Sequence, residues 1–146
     1  MLFFFSLSNA QSKIIKVNPL GLAFGIANAG FEFKTAENQS LTVSGISYNI
    51  SEITGVGVGA EYRFYISGEA LKDWHTVPSI GFFSLEDDAN NFATVFSIAV
   101  EAGHQWIFGE HFALDIFAGY GFIAGDNTLN NLNQTSLSLG VSLGYA

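Results

Sequence analysis

Six charged residues, Glu32, Lys34, Glu61, Arg63, Glu101 and Asp115, are the part of this sequence whose types and spacing could do chemistry. Each falls in an alternating stretch on the parity that also carries glycine, serine or alanine, opposite the aliphatic and aromatic residues. Four acids and two bases gathered in a narrow, poorly hydrated space must pair, hydrate or share protons, because unpaired buried charge is costly. The expectation is a polar plug that fixes strand register. A narrow path for ions or protons is the sharper alternative.

Other candidates are weaker. A hydrolytic site needs a histidine beside a serine nucleophile and an acid, and the histidines are His75, His104 and His111. His104 has outward parity near Trp106 and lies in no His-x-Ser pattern, so it is expected at an interface and no catalytic residue is assigned. The acidic run Glu86-Asp87-Asp88 with Asn90 and Asn91 offers oxygen ligands suited to calcium but lacks a calcium-loop signature, and a solvated loop is expected. The Gly-x-Gly-x-Gly of residues 55–59 has the period of a strand, so it belongs to the small-residue face and cradles no phosphate. Cysteine is absent, which excludes disulfides, thiolate metal sites and cysteine nucleophiles. No metal or other cofactor is expected.

The elements that must position the six charges follow from hydropathy. The clearest is the final stretch, Ser136 to Ala146, where Leu137, Leu139, Val141, Leu143 and Tyr145 alternate with serine and glycine. Thr54–Ile66 repeats the pattern: Val56, Val58, Ala60, Tyr62, Phe64 and Ile66 oppose three glycines, Glu61, Arg63 and Tyr65. Phe92–Trp106 sets Ile98 and Val100 against Glu101 and Gln105, and Phe112–Phe122 sets Leu114 and Ile116 against Asp115. Weaker strands are expected over Ile14–Phe24, with a bulge at Pro19 and Leu20, Leu22 and Phe24 outward, and over Ala29–Ala36. Ser40–Ile50 is a further strand whose parity slips at Gly45, predicting a bulge, and Thr76–Leu85 contains Pro78. The connections then include residues 25–28, 37–39, 67–75, 86–91, the hairpin Phe108-Gly-Glu-His111 and 124–134, of which 86–91 is acidic and the last rich in asparagine.

Alternation alone fits either a barrel that faces lipid or a soluble lipocalin-like barrel with its apolar face inward. The second face decides. A soluble exterior would be dense in charge, whereas charged residues are 12% of this 146-residue chain and hydrophobic ones 49%. The small face therefore fits the interior of a narrow barrel, and Val56, Val58, Ile98, Val100, Leu114, Ile116, Leu137, Leu139, Val141 and Leu143 are expected to meet lipid. No run of about 18 apolar residues could form a transmembrane helix, so a crossing would be made by strands closed into a barrel. Met1-Leu-Phe-Phe-Phe-Ser-Leu-Ser-Asn-Ala10 is an apolar run with small residues at Ser8 and Ala10, the spacing of a signal-peptidase site. It lacks a basic beginning, so residues 1–10 are expected to be a truncated signal peptide before a single barrel domain over 11–146. About 17 residues are then available for each of eight strands and its connection. The net charge of −8, with no basic cluster, excludes nucleic acid as a partner.

With this pattern the chain resembles small eight-stranded outer-membrane β-barrels of the OmpA-transmembrane and OmpX type. Lys16-Val-Asn-Pro-Leu-Gly21, Gly30-Phe-Glu-Phe33 and Gly59-Ala-Glu-Tyr-Arg-Phe64 also resemble elements of an uncharacterised family of small barrels. The resemblance implies an all-β, antiparallel up-and-down transmembrane barrel, inserted as a monomer, its partners the lipid bilayer and the outer-membrane insertion machinery. It also implies that Tyr145 stands where that machinery reads a terminal aromatic, although Ala146 follows it. The expected role is structural or surface-interacting and not enzymatic, with a lumen filled by the polar set and no open pore. A secreted lipocalin-like barrel holding a small hydrophobic ligand is the alternative, and a lipid-modifying barrel enzyme a more distant one.

Overall fold

The computed structural model describes residues 13–66, 70–90, 92–126 and 134–146. The expected signal segment, Asn91 and most of the 124–134 connection lie outside them. Eight strands close into an antiparallel barrel in which each pairs with its neighbours in sequence and the last returns to the first. They are β1 (Lys13–Val17), β2 (Ile26–Ala36), β3 (Gln39–Ile50), β4 (Ile53–Tyr65), β5 (Asp73–Asp87), β6 (Phe92–Phe108), β7 (Phe112–Asp126) and β8 (Gln134–Tyr145). The start of β1, the end of β8 and the connections β2–β3, β4–β5 and β6–β7 share one end, called terminal below. The β3–β4, β5–β6 and β7–β8 connections share the other, the hairpin end.

The first strand is much shorter than its hydropathy predicts. Its ladder stops at Val17, and Pro19–Ala23 form one helical turn, α1. Asn18 caps that turn by accepting from the Gly21 amide at 3.0 Å, and Pro19 takes the first helical position, where its missing N–H costs nothing. The proline therefore ends the strand and does not bulge it. Alternation resumes at Ile26, three residues ahead of the expected start of the second strand. This also reverses parity: Ile14 and Lys16 are buried inside, and Ile15 and Val17 face out. Above Val17, among the described residues, no strand pairs with that edge of β8, and α1 lies near it.

The bulge expected at Gly45 does not form. Register runs unbroken along β3–β4, and the one irregularity in β2–β3 falls between Lys34 and Ala36. The apolar residues simply change faces, so Leu41 and Val43 point out while Ile46 and Tyr48 point in. Pro78 is accommodated as its chemistry requires: the β5–β6 ladder passes through it, but β4–β5 pairing is interrupted between Glu61↔Ser79 and Phe64↔Thr76, on the side left without a donor. Three strands outrun their expected ends, β5 absorbing both His75 and Glu86-Asp87, β6 running on to Phe108 and β7 to Asp126, while β4 matches its expected bounds to within one residue.

The small face points inward, and its glycines are sockets for large lumen side chains. A Cβ added at Gly57 would clash with the Phe83 ring, one at Gly140 with the Phe117 ring, and one at Gly144 would meet the Ile14 side chain at 2.5 Å. An eight-stranded barrel has space for large residues only where the facing strand gives it up.

Candidate functional site

At the terminal end the inward parity of seven strands gathers the charge into one buried cluster. Lys16 from β1 places Nζ 2.5 Å from Glu32 Oε2 and donates to Gln105 Oε1 at 2.5 Å, with Asp115 Oδ2 at 3.4 Å. Arg63 spans the lumen: Nη1 donates to Asp115 Oδ2 at 2.5 Å, and Nε and Nη2 both reach Glu61 Oε2, at 3.2 and 2.8 Å. Ser40 and Tyr65 each donate to Glu32 Oε1 at 2.5 Å, and His75 Nε2 contacts Asp115 Oδ1 at 2.7 Å. Gln105 Nε2 donates to the Leu71 carbonyl at 2.7 Å, tying in the β4–β5 connection. Glu32, Gln105, His75 and Asp115 are all 1% exposed or less.

Two cations against three carboxylates are held by charge-assisted hydrogen bonds, the arrangement that offsets desolvation of buried ions. Ile14, Tyr65, Ala70, Leu71 and Ala113 form an apolar layer at the same end. Leu71 is drawn in at a left-handed φ of 77°. The connection expected to be merely long is therefore part of the closure.

Four of the six residues singled out from sequence, Glu32, Glu61, Arg63 and Asp115, are in this network. Glu101 lies higher in the lumen and accepts from Ser138 Oγ at 2.8 Å. Lys34 shares the inward parity of Glu32 but sits half-buried at the rim beside the register shift, outside the cluster. Alternation over Ile14–Phe24 predicts Lys16 outward, and His75 falls in a predicted connection, so neither is expected in the lumen where the structure places it. Gln105 and Tyr65 carried the correct parity, the one signal that could have found them.

The expectation of a lumen filled by polar side chains holds for the terminal half alone. Above the plug lies a cavity of about 510 Å³, walled by Ile46, Tyr48, Phe83, Leu85, Val95 and Ile123 and floored by Glu61, Glu101 and Ser138. Tyr48 and Phe83 meet edge to face across it with ring centroids 5.7 Å apart.

On the outward face, the ten residues expected at lipid all have outward parity, with Val56, Val58, Val100, Leu137 and Leu139 more than half exposed. The terminal rim is aromatic. His104 packs between Trp74 and Trp106, at centroid distances of 4.9 and 4.2 Å, with Nε2 3.2 Å from Asp73. Among the described residues no serine hydroxyl joins it. Tyr145 is exposed there, stacked on His111 at 5.2 Å and paired with Ile15 and Phe112. Among the described residues no group of acids or histidines is placed to hold a metal ion, the acidic β5–β6 hairpin included.

Fold and site together define a small up-and-down antiparallel barrel, plugged by ion pairs at one end and hollow and apolar at the other. The chain belongs to the family described as "Protein of unknown function (DUF3575)", which it matches over residues 1–142. Among curated proteins no sequence matches it significantly.

Proposed function

We propose that this chain is an integral outer-membrane β-barrel of OmpA/OmpX type, with a structural or surface-interaction role and no enzymatic one. The observation that carries the reading is the distribution of charge across the barrel wall. From Val56 to Phe64 on β4, Thr76 to Ser84 on β5, Phe96 to Ala102 on β6, Leu114 to Phe122 on β7 and Leu137 to Leu143 on β8, the outward positions hold no Lys, Arg, Asp or Glu. The ion pairs lie inside. Water as the outer solvent would leave this uncharged and largely apolar belt exposed, whereas hydrocarbon requires one. The strands close into one barrel, the form in which a sheet can cross a bilayer, with β8 laddered to β1 from Leu143 to Tyr145. No described helix is long and apolar enough to cross a membrane, so the strands would make the crossing.

The plug and the apolar layer beneath it argue for a barrel that conducts nothing through its terminal end. The test is membrane fractionation of the chain expressed behind an intact signal peptide, with gel mobility compared before and after boiling. Outer-membrane residence and a compact band lost on heating are expected. A protein recovered from the soluble fraction without detergent would overturn the reading and make this a secreted carrier.

A further inference from the structure

The cavity above the plug has a chemistry the plug does not use. Its walls are mostly apolar, with Tyr48, Phe83 and Ile123 among them and Asn28, Ser44, Ser79 and Ser97 as neutral polar lining, but its floor carries two carboxylates. Each has one oxygen engaged: Glu61 Oε2 by Arg63 and Glu101 Oε1 by Ser138. Among the described residues, the second oxygen of each has no partner. A carboxylate only accepts hydrogen bonds, and two of them at the closed end of an apolar space repel an anion and favour a donor. At about 510 Å³ the space is within the usual range of small-molecule pockets, about 300–1,000 Å³.

We propose that this cavity binds a lipophilic amine: a small apolar body, aliphatic or aromatic, whose ammonium or N–H head reaches Glu61 and Glu101. The site is set by inward side chains and does not rest on which medium meets the outward face. Tyr48 and Phe83 supply ring surface to the body, and Glu101 orients the head through a charge-assisted hydrogen bond.

The folded chain, reconstituted in zwitterionic phospholipid nanodiscs, is titrated with the fluorescent amine 1-aminoanthracene against empty nanodiscs. Saturable fluorescence is expected, displaced about ten-fold more effectively by octylamine than by octanol, the difference one charge-assisted contact supplies. Octanoate should displace least. Ala99→Trp, which fills the cavity from β6, should abolish saturable binding. Ile123→Trp from β7 takes its place if the first variant does not give the compact unboiled band. Glu101→Gln should keep binding but shrink the preference for octylamine over octanol. Absence of saturable binding, full binding in a folded cavity-filled variant, or displacement by octanoate as effective as by octylamine would overturn the proposal.

Discussion

The lumen is packed at its terminal end and hollow at its hairpin end, while the outward face is equally apolar over both. At the terminal end Glu32, His75, Gln105 and Asp115 are fully buried and share their partners in one network. At the hairpin end most inward residues are half-buried, Ala93 and Val95 being buried, and the space between them is open. The wall follows the same division. Near the termini β1 and β8 pair through Ile15, Lys16 and Val17, and above that the short turn α1 lies near β8 without a ladder. The difference teaches where rigidity and vacancy have been separated: the ion network fixes the register of seven strands, which leaves the other half free to keep a cavity that a two-ended core would have filled.

The comparison breaks most easily at Arg63. Arg63→Met removes the cation that both Glu61 and Asp115 lean on and leaves buried carboxylates uncompensated, a loss expected to cost about 3–5 kcal/mol. Urea unfolding of the barrel refolded into phospholipid vesicles measures it. A loss below about 1 kcal/mol, the scale of an exposed pair, would mean that water reaches the plug.

Next in size is the outward face, where the two halves should not differ. Val58→Arg and Val141→Arg each place a charge in the apolar belt, and each should cost about 2–4 kcal/mol near the middle of a bilayer. The same unfolding experiment reads both. Near-neutral values would return the belt to water and remove the reason for placing the barrel in a membrane.

How much of this was visible before the structure depended on the strand. β4, β7 and β8 alternate so regularly that parity alone placed Val58, Asp115 and Val141 on their faces, and with them Glu61 and Arg63. Lys16 was misplaced because Asn18-Pro19 reads as an interrupted strand when apolar residues continue to Phe24, yet an N-cap followed by proline is also how a helix begins. At Gly45 a change of apolar parity predicts a change of register that does not occur. Physically the chain kept its ladder and turned Ile46 and Tyr48 inward, because the lumen at that level is apolar. That assumption, one polarity for the whole inner face, hid the cavity. His75 was hidden for another reason: the strand holding it begins within a stretch with no alternation to read.

The finest test compares two serines that make the same contact in the two halves. Ser40 donates to Glu32 at 2.5 Å inside the plug, where neither residue is exposed, and Ser138 donates to Glu101 at 2.8 Å on the cavity floor. From alternation alone Ser138→Ala looks nearly free, but the hydrogen bond to a carboxylate gives it a cost. Inside the plug nothing replaces the lost donor, so Ser40→Ala should cost about 1.5–3 kcal/mol, the range for hydrogen bonds to charged groups. On the cavity floor a water can take the place of the hydroxyl, because the space is large enough and Glu101 supplies a polar partner. Ser138→Ala should then cost about 0.5–1.5 kcal/mol, that of an ordinary exchangeable hydrogen bond. Vesicle unfolding of the two variants in parallel measures the gap. Equal losses would mean that the hairpin half is as closed to water as the plug, and the contrast between the two ends would then be one of composition and not of packing.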